Sequence, residues 1–315
     1  MTLLPEFAIL PELFLKAGHD EVSKMQLAYL RDAVLRDAAV RDLRDGEWRR
    51  LLWDKRGAMS LIAQKLAKTL CSGRSLASAS PVLPNSPSSE EEWCDEAIAS
   101  AKTRPLTAII CSPSLDKAHQ QQSAVHPLDT LSETNLGQIA TASVQTLFRI
   151  GEYIEHIGAI LSTARRLCFI DPYIDPEHRD YGEFPELLRH AGKRHPAPKL
   201  EIHRKCSYKR KTDAKEGQLK DSSAWKTIFA DWHQLLEAEG IVAEVFIWDD
   251  FKTRYLVSEL AGLIVGKGFK TNKDPKAKNT WSRLSREDGQ NVDREFDENS
   301  TAHKLWCHFE IGGEK

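Results

Sequence analysis

The sequence predicts an α/β protein: a helical N-terminal region over residues 1–70, a Ser/Pro-rich linker over 71–92, and an α/β domain over 93–315 built as a mixed sheet flanked by helices. Three observations predict this. Met25, Leu27, Leu30, Val34, Leu35 and Val40 recur near helical spacing, with Arg-Asp pairs between them. Serines and prolines then crowd residues 71–92 before Glu90-Glu91-Glu92. Beyond residue 105, short apolar runs of strand length alternate with helical periods.

In chain order, the first helix is expected over 20–43, closed by an Asp45-Gly46 turn, and a second over 59–70. Ser89 with Glu92 fits a capping box for a helix running to Ala101. Leu106–Cys111 reads as a strand, 114–134 as a polar loop, and 142–164 as a long helix. Strands follow at 167–170, 199–203, 241–248, 254–258, 262–265 and 305–311. Helices are expected at 183–193, 222–239 and 285–297. No internal repeat is visible, so a two-fold site would need a second chain.

Composition narrows the class. The chain of 315 residues is 41% hydrophobic and 29% charged, enough to bury a core. Its longest uncharged stretches are polar and rich in Ser and Thr, which argues against a membrane span. The start Met1-Thr2-Leu3-Leu4-Pro5 lacks the basic and apolar regions of a signal peptide, so a cytoplasmic location is expected. Six cysteines at 71, 94, 111, 168, 206 and 307 form no CxxC pair, so neither a zinc site nor a disulfide framework is indicated. No cofactor is expected.

The formal charge of −2 hides a polarised chain. Between Arg189 and Lys220, eleven basic residues oppose three acidic ones; between Val265 and Arg286, seven oppose one. Clustered cations attract polyanions. Arg204, Lys209, Arg210, Lys211, Lys267, Lys270 and Arg283 are therefore candidate phosphate contacts. Trp225, Trp232, Trp248 and Trp281 offer stacking surfaces, but their helix and strand spacing reads first as core.

Between the two basic runs lies Lys252-Thr253-Arg254-Tyr255-Leu256-Val257-Ser258-Glu259, continuing to Gly266. Upstream, the strand Phe169-Ile170 ends in Asp171-Pro172-Tyr173. The pattern Lys252-x-Arg254-x4-Glu259-x6-Gly266 has the spacing of His-x-Lys-x4-Asp-x6-Gly, and the region 165–311 resembles a phospholipase D-like (HKD) half. The resemblance implies a metal-independent phosphodiesterase site. One His attacks phosphorus, a second from a paired motif protonates the leaving oxygen, the Lys stabilises the phosphoryl oxygens, and the acid orients the His. Arg254 then stands for the Lys, always charged and bidentate toward phosphate. Glu259 stands for the acid, and Gly266 leaves room for backbone approach.

Two positions depart from the pattern. Lys252 replaces the nucleophilic His, and an ammonium is no ready nucleophile at neutral pH. Phe269 replaces a polar residue. His203, His303 and His308 are the candidates to supply an imidazole; His303 is foremost because Glu295 and Asp297 are close enough in sequence to orient it. The candidate catalytic positions are thus Lys252, Arg254, Glu259 and His303. The leading expectation is a degenerate site that binds a DNA or RNA backbone, with the N-terminal region docking another protein, as in subunits of bacterial defence or mobile-element complexes. The alternative is a metal-independent nuclease active as a homodimer.

Overall fold

The computed structural model describes residues 3–72, 76–131, 142–192, 196–208, 217–219, 221–272, 274 and 276–313. The fold is α/β, with mixed and parallel sheets flanked by helices. Two compact units divide the chain: Leu4–Thr141, and Ala142–Lys315 together with the first three residues.

The first unit is not the helical region and linker that composition suggests. It holds β1 (Glu6–Ile9), α1 (Pro11–Lys16), α2 (Glu21–Asp37), β2 (Ala39–Asp42), α3 (Leu43–Asp54), α4 (Leu61–Ser72), β3 (Leu76–Ala79), α5 (Glu90–Ala101), β4 (Ala108–Cys111), α6 (Lys117–Gln120) and β5 (Val125–Pro127). The five strands form a parallel sheet in the order β3-β2-β1-β4-β5. The expected helix over 20–43 ends early, and β2 takes its last residues. Four residues of the Ser/Pro-rich stretch become β3, paired parallel to β2. The boundary between units falls at 141/142, some fifty residues beyond the expected linker.

Buried charge explains why β2 is hidden in the sequence. Arg41 lies wholly buried, with Nε 2.8 Å from Glu6 Oε1 and Nη2 2.8 Å from Glu6 Oε2 across the β1–β2 pair. Arg41 also donates to Ser100 Oγ and to the Arg104 carbonyl, so the guanidinium is held on three sides. In sequence, Arg41-Asp42 looks like one more polar repeat of a solvated helix. The Asp45-Gly46 turn does form: Arg44, Asp45 and Gly46 are all left-handed, at φ of 58°, 50° and 93°. Arg44 bears that strain because its side chain is anchored to Glu47, Glu96 and the Leu83 carbonyl. Ser89 caps α5 by accepting from the Glu92 N–H, whereas the Glu92 carboxylate turns to Ser88.

The second unit holds β6 (Ser143–Leu147), α7 (Ile150–Thr163), β7 (Arg166–Ile170), α8 (Pro185–Gly192), β8 (Lys199–Lys205), β9 (Ser207–Tyr208), β10 (Gly217–Gln218), α9 (Ser222–Ile228), α10 (Ala230–Glu239), β11 (Val242–Trp248), β12 (Tyr255–Ser258), β13 (Gly262–Val265), β14 (Lys278–Arg283), α11 (Arg286–Glu295) and β15 (Leu305–Gly312). Eight strands form one mixed sheet, β15-β11-β8-β7-β12-β13-β14-β6. Its centre, β7, β8 and β11, is parallel, and every other pairing in it is antiparallel. The expected helix over 142–164 begins later, because residues 143–147 form edge strand β6. Alternation along β7 separates the two faces: Phe169 meets Phe184 and Phe269 on one, and Cys168 and Ile170 join Trp248, Val292 and Phe296 on the other. Among the described residues, no helix is long and apolar enough to cross a membrane.

Removing the Arg41 side chain leaves Glu6 buried beside Arg104 alone. Arg41→Ala is expected to cost about 3–5 kcal/mol of stability in urea denaturation, as for other buried pairs broken on one side.

Candidate functional site

Strand direction gathers one set of residues. β7, β8 and β11 end at the same edge of the sheet, and antiparallel β12 begins there, so Asp171 after β7 faces Arg254 before β12. β13 and β6 also end at this edge, which brings Gly266 and Phe148 to it. The carboxyl end of parallel strands is where α/β sheets commonly bind ligands.

Asp171 is the anchor. It is fully buried and accepts from the Tyr173 N–H at 3.0 Å, the Phe269 N–H at 3.1 Å and the Tyr181 hydroxyl at 3.1 Å. Arg254 Nε lies 3.5 Å from Asp171 Oδ1. Burial pushes the Asp171 carboxyl up, against the pull of these donors and the guanidinium. The packing admits no side chain at residue 268: Gly268 has φ of 79°, and a Cβ would fall 1.9 Å from Asp171 Oδ2. At Gly266, a Cβ would meet the Thr280 carbonyl oxygen at 2.8 Å. Phe269 turns its ring into the aromatic core, and its backbone N–H serves Asp171.

Cations cluster around this anchor. Arg254 is a quarter exposed and stands 5.2 Å from the Tyr173 ring centroid, with Lys205 Nζ at 4.6 Å from the same ring. Lys252 is exposed two residues from Arg254. Lys267 and Lys270 lie 5.8 and 5.7 Å from the Phe148 ring. Asn279 fixes their loop, accepting from the Lys267 N–H and donating to the Gly268 carbonyl. Nearby, Phe148, Arg149, Gly151, Arg179 and Thr271 are among the residues lining a cleft of about 940 Å³.

Other candidate residues go elsewhere. Glu259 sits at the opposite end of β12, where its carboxylate accepts from the Arg165 and Arg166 N–H groups at 2.6 and 3.2 Å. It tethers the start of β7 and orients nothing near residue 252, because the four residues of β12 separate the two ends by about 13 Å. Arg283 pairs with Leu263 toward that same far edge. Arg204 is buried, stacked on Trp225 at 4.1 Å, and so contributes to packing rather than to a surface. Lys209, Arg210 and Lys211 lie outside the described residues. All four tryptophans at 225, 232, 248 and 281 are core.

Of the histidines, His303 lies toward the site edge. Its Nε2 is 2.7 Å from Glu295 Oε1, and its ring packs against Phe251 and Phe296. His308 is exposed along β15. His203 is buried within an unanticipated polar network. Trp248 Nε1 donates to His203 Nδ1 at 3.1 Å, which places the imidazole proton on Nε2, facing Glu201 Oε2 at 3.4 Å. Cys168 Sγ donates to that carboxylate, and Arg166 grips it through two nitrogens.

Cys168, Glu201 and His203 place three possible metal-ligand atoms within 4.8 Å of one another. Their pairing across β7 and β8 could not be read from cysteine spacing. The donor set already satisfies itself, with Arg166 and Lys199 both on Glu201. Burial pushes the Glu201 carboxyl up, but hydrogen bonds from His203 and Arg166 outweigh it and hold the group well below the usual carboxylate range. Burial raises the Cys168 thiol and lowers His203, which keeps both neutral.

No protein-family model matches this chain. No curated protein matches it either.

Because folding lowers the His203 pKa, neutral His203 contributes stability that is complete above the unfolded value of about 6.5 and is lost as pH falls through the folded value. The thermal midpoint should therefore fall between about pH 7.5 and 5. His203→Gln, which keeps a donor for Glu201 and an acceptor for Trp248, should show a shallower fall.

Proposed function

We propose that this protein is a phospholipase D-like chain with a degenerate site that binds the phosphate backbone of nucleic acid, working as a subunit of a bacterial defence or mobile-element complex. One observation carries the proposal: Arg254 is seated on buried Asp171 at the sheet edge that also bears Lys205, Lys252, Lys267 and Lys270. A guanidinium held this way, with Nη1 also 3.5 Å from the Gly266 carbonyl oxygen, offers its exposed edge to phosphate oxygens, and the surrounding ammonium groups add a field that favours a polyanion. In the phospholipase D-like reading Lys252 takes the place of the attacking imidazole, and an exposed ammonium there favours binding over hydrolysis.

A second reading rests on the His303–Glu295 pair. A carboxylate accepting from Nε2–H leaves Nδ1 as an acceptor, the arrangement of an oriented general base. In that reading the protein is a metal-independent nuclease, with a homodimer supplying two half-sites.

Fluorescence anisotropy with labelled DNA and RNA in EDTA separates the two. Binding without cleavage is expected, with affinity falling steeply as salt rises. Arg254→Ala should weaken affinity by about tenfold or more. Glu259→Gln, at the far edge, should leave it unchanged. Cleavage in EDTA that His303→Ala abolishes would establish the nuclease instead; affinity unchanged by Arg254→Ala would remove the proposed site.

A further inference from the structure

A phosphate clamp alone does not choose among polyanions; a nucleic acid, a phospholipid headgroup and inorganic polyphosphate all carry the same oxygens. The surroundings of Arg254 narrow the choice. Tyr173 is 46% exposed, and its ring lies within 5.2 Å of the Arg254 guanidinium carbon and 4.6 Å of Lys205 Nζ. The backbone that carries the ring is held in place. Buried Pro172 precedes it, and its own N–H is bonded to Asp171 Oδ1, the oxygen that also faces Arg254 Nε. Asp171 thus ties the backbone of Tyr173 and the Arg254 cation to one carboxylate.

A half-exposed aromatic ring with two cations over it offers its open surface to an unpaired base and its cations to the neighbouring phosphate. The base stacks on the ring while the backbone meets the cations, and a platform already in place costs little entropy to use. The tryptophans at 225, 232, 248 and 281 cannot play this part, since all four are buried. A lipid fits less well. Among the described residues of the unit Ala142–Lys315, the large apolar side chains with substantial exposure are Tyr173 and Ile264, too little surface for acyl chains. In a duplex, base faces are stacked on their neighbours and are not offered to a ring.

Resting on the phosphate-binding reading above, we infer that the ligand is single-stranded nucleic acid, with Tyr173 stacking an unpaired base next to the phosphate held by Arg254.

The test uses the full chain and a short labelled oligodeoxyadenylate, with inorganic polyphosphate, the matching duplex and anionic phospholipid vesicles as competitors. Wild type should prefer the single strand to the duplex and ignore the vesicles. Tyr173→Ala should lose about fivefold or more in affinity for the oligonucleotide. Tyr173→Phe should retain it, and polyphosphate affinity should be the same in all three proteins. Stacking is overturned, with the clamp intact, if Tyr173→Ala binds the oligonucleotide as wild type does while Arg254→Ala does not. It is also overturned if Tyr173→Phe loses as much as Tyr173→Ala, if polyphosphate affinity falls in parallel, or if duplex or vesicles compete better than single strand. Failure of wild type to bind either oligonucleotide or polyphosphate would instead remove the phosphate-binding reading itself.

Discussion

A carboxylate taken wholly out of water must be met by donors, and Asp171 is met by three, two backbone N–H groups and a tyrosine hydroxyl, with the Arg254 guanidinium facing it as counter-charge. These partners come from three parts of the edge, so satisfying one side chain ties together the segment after β7, the loop after β13 and the entry to β12. Gly268 is required because the loop passes so close to the carboxylate that no Cβ fits. The cost of burying Asp171 is thereby converted into the placement of a cation and an aromatic ring at the mouth of the sheet.

Chain-local charge and spatial charge turn out to be different quantities. The basic run over 265–286 is split by its own strands, which carry Lys267 and Lys270 to the site edge and Arg283 toward the opposite one. The run over 189–220 is divided as well: Arg204 is consumed in packing on Trp225, Lys199 pairs with Glu201 and Glu244, and Lys205 reaches Tyr173. What converges is a smaller set of cations than the sequence counts suggest, arranged around Arg254.

Much of the second unit was legible in sequence, because β7, β11, β12, β13 and β15 are largely apolar runs bounded by polar turns, and β8 alternates Leu200 and Ile202 with polar residues. Asp171 and Arg254 were legible as strand-end residues, whereas their contact depended on antiparallel pairing that no local pattern encodes. Strands β1, β2 and β3 were not legible. Arg41 in β2 presents buried charge in the guise of a polar helix face, and β3 lies in a stretch whose Ser and Pro content reads as linker. Glu259 shows the converse error: motif spacing gave it a chemical role, and the strand between it and residue 254 gives it a structural one. The Cys168–Glu201–His203 network joins residues distant in the chain through parallel register, beyond the reach of spacing rules.

The most direct test of the phosphate-binding edge is a crystal structure of the protein with a short single-stranded oligonucleotide. A phosphate within hydrogen-bonding distance of the Arg254 guanidinium, with Asp171 still beneath it, is the predicted result. An oligonucleotide bound elsewhere, with Arg254 turned away from it, would contradict the account.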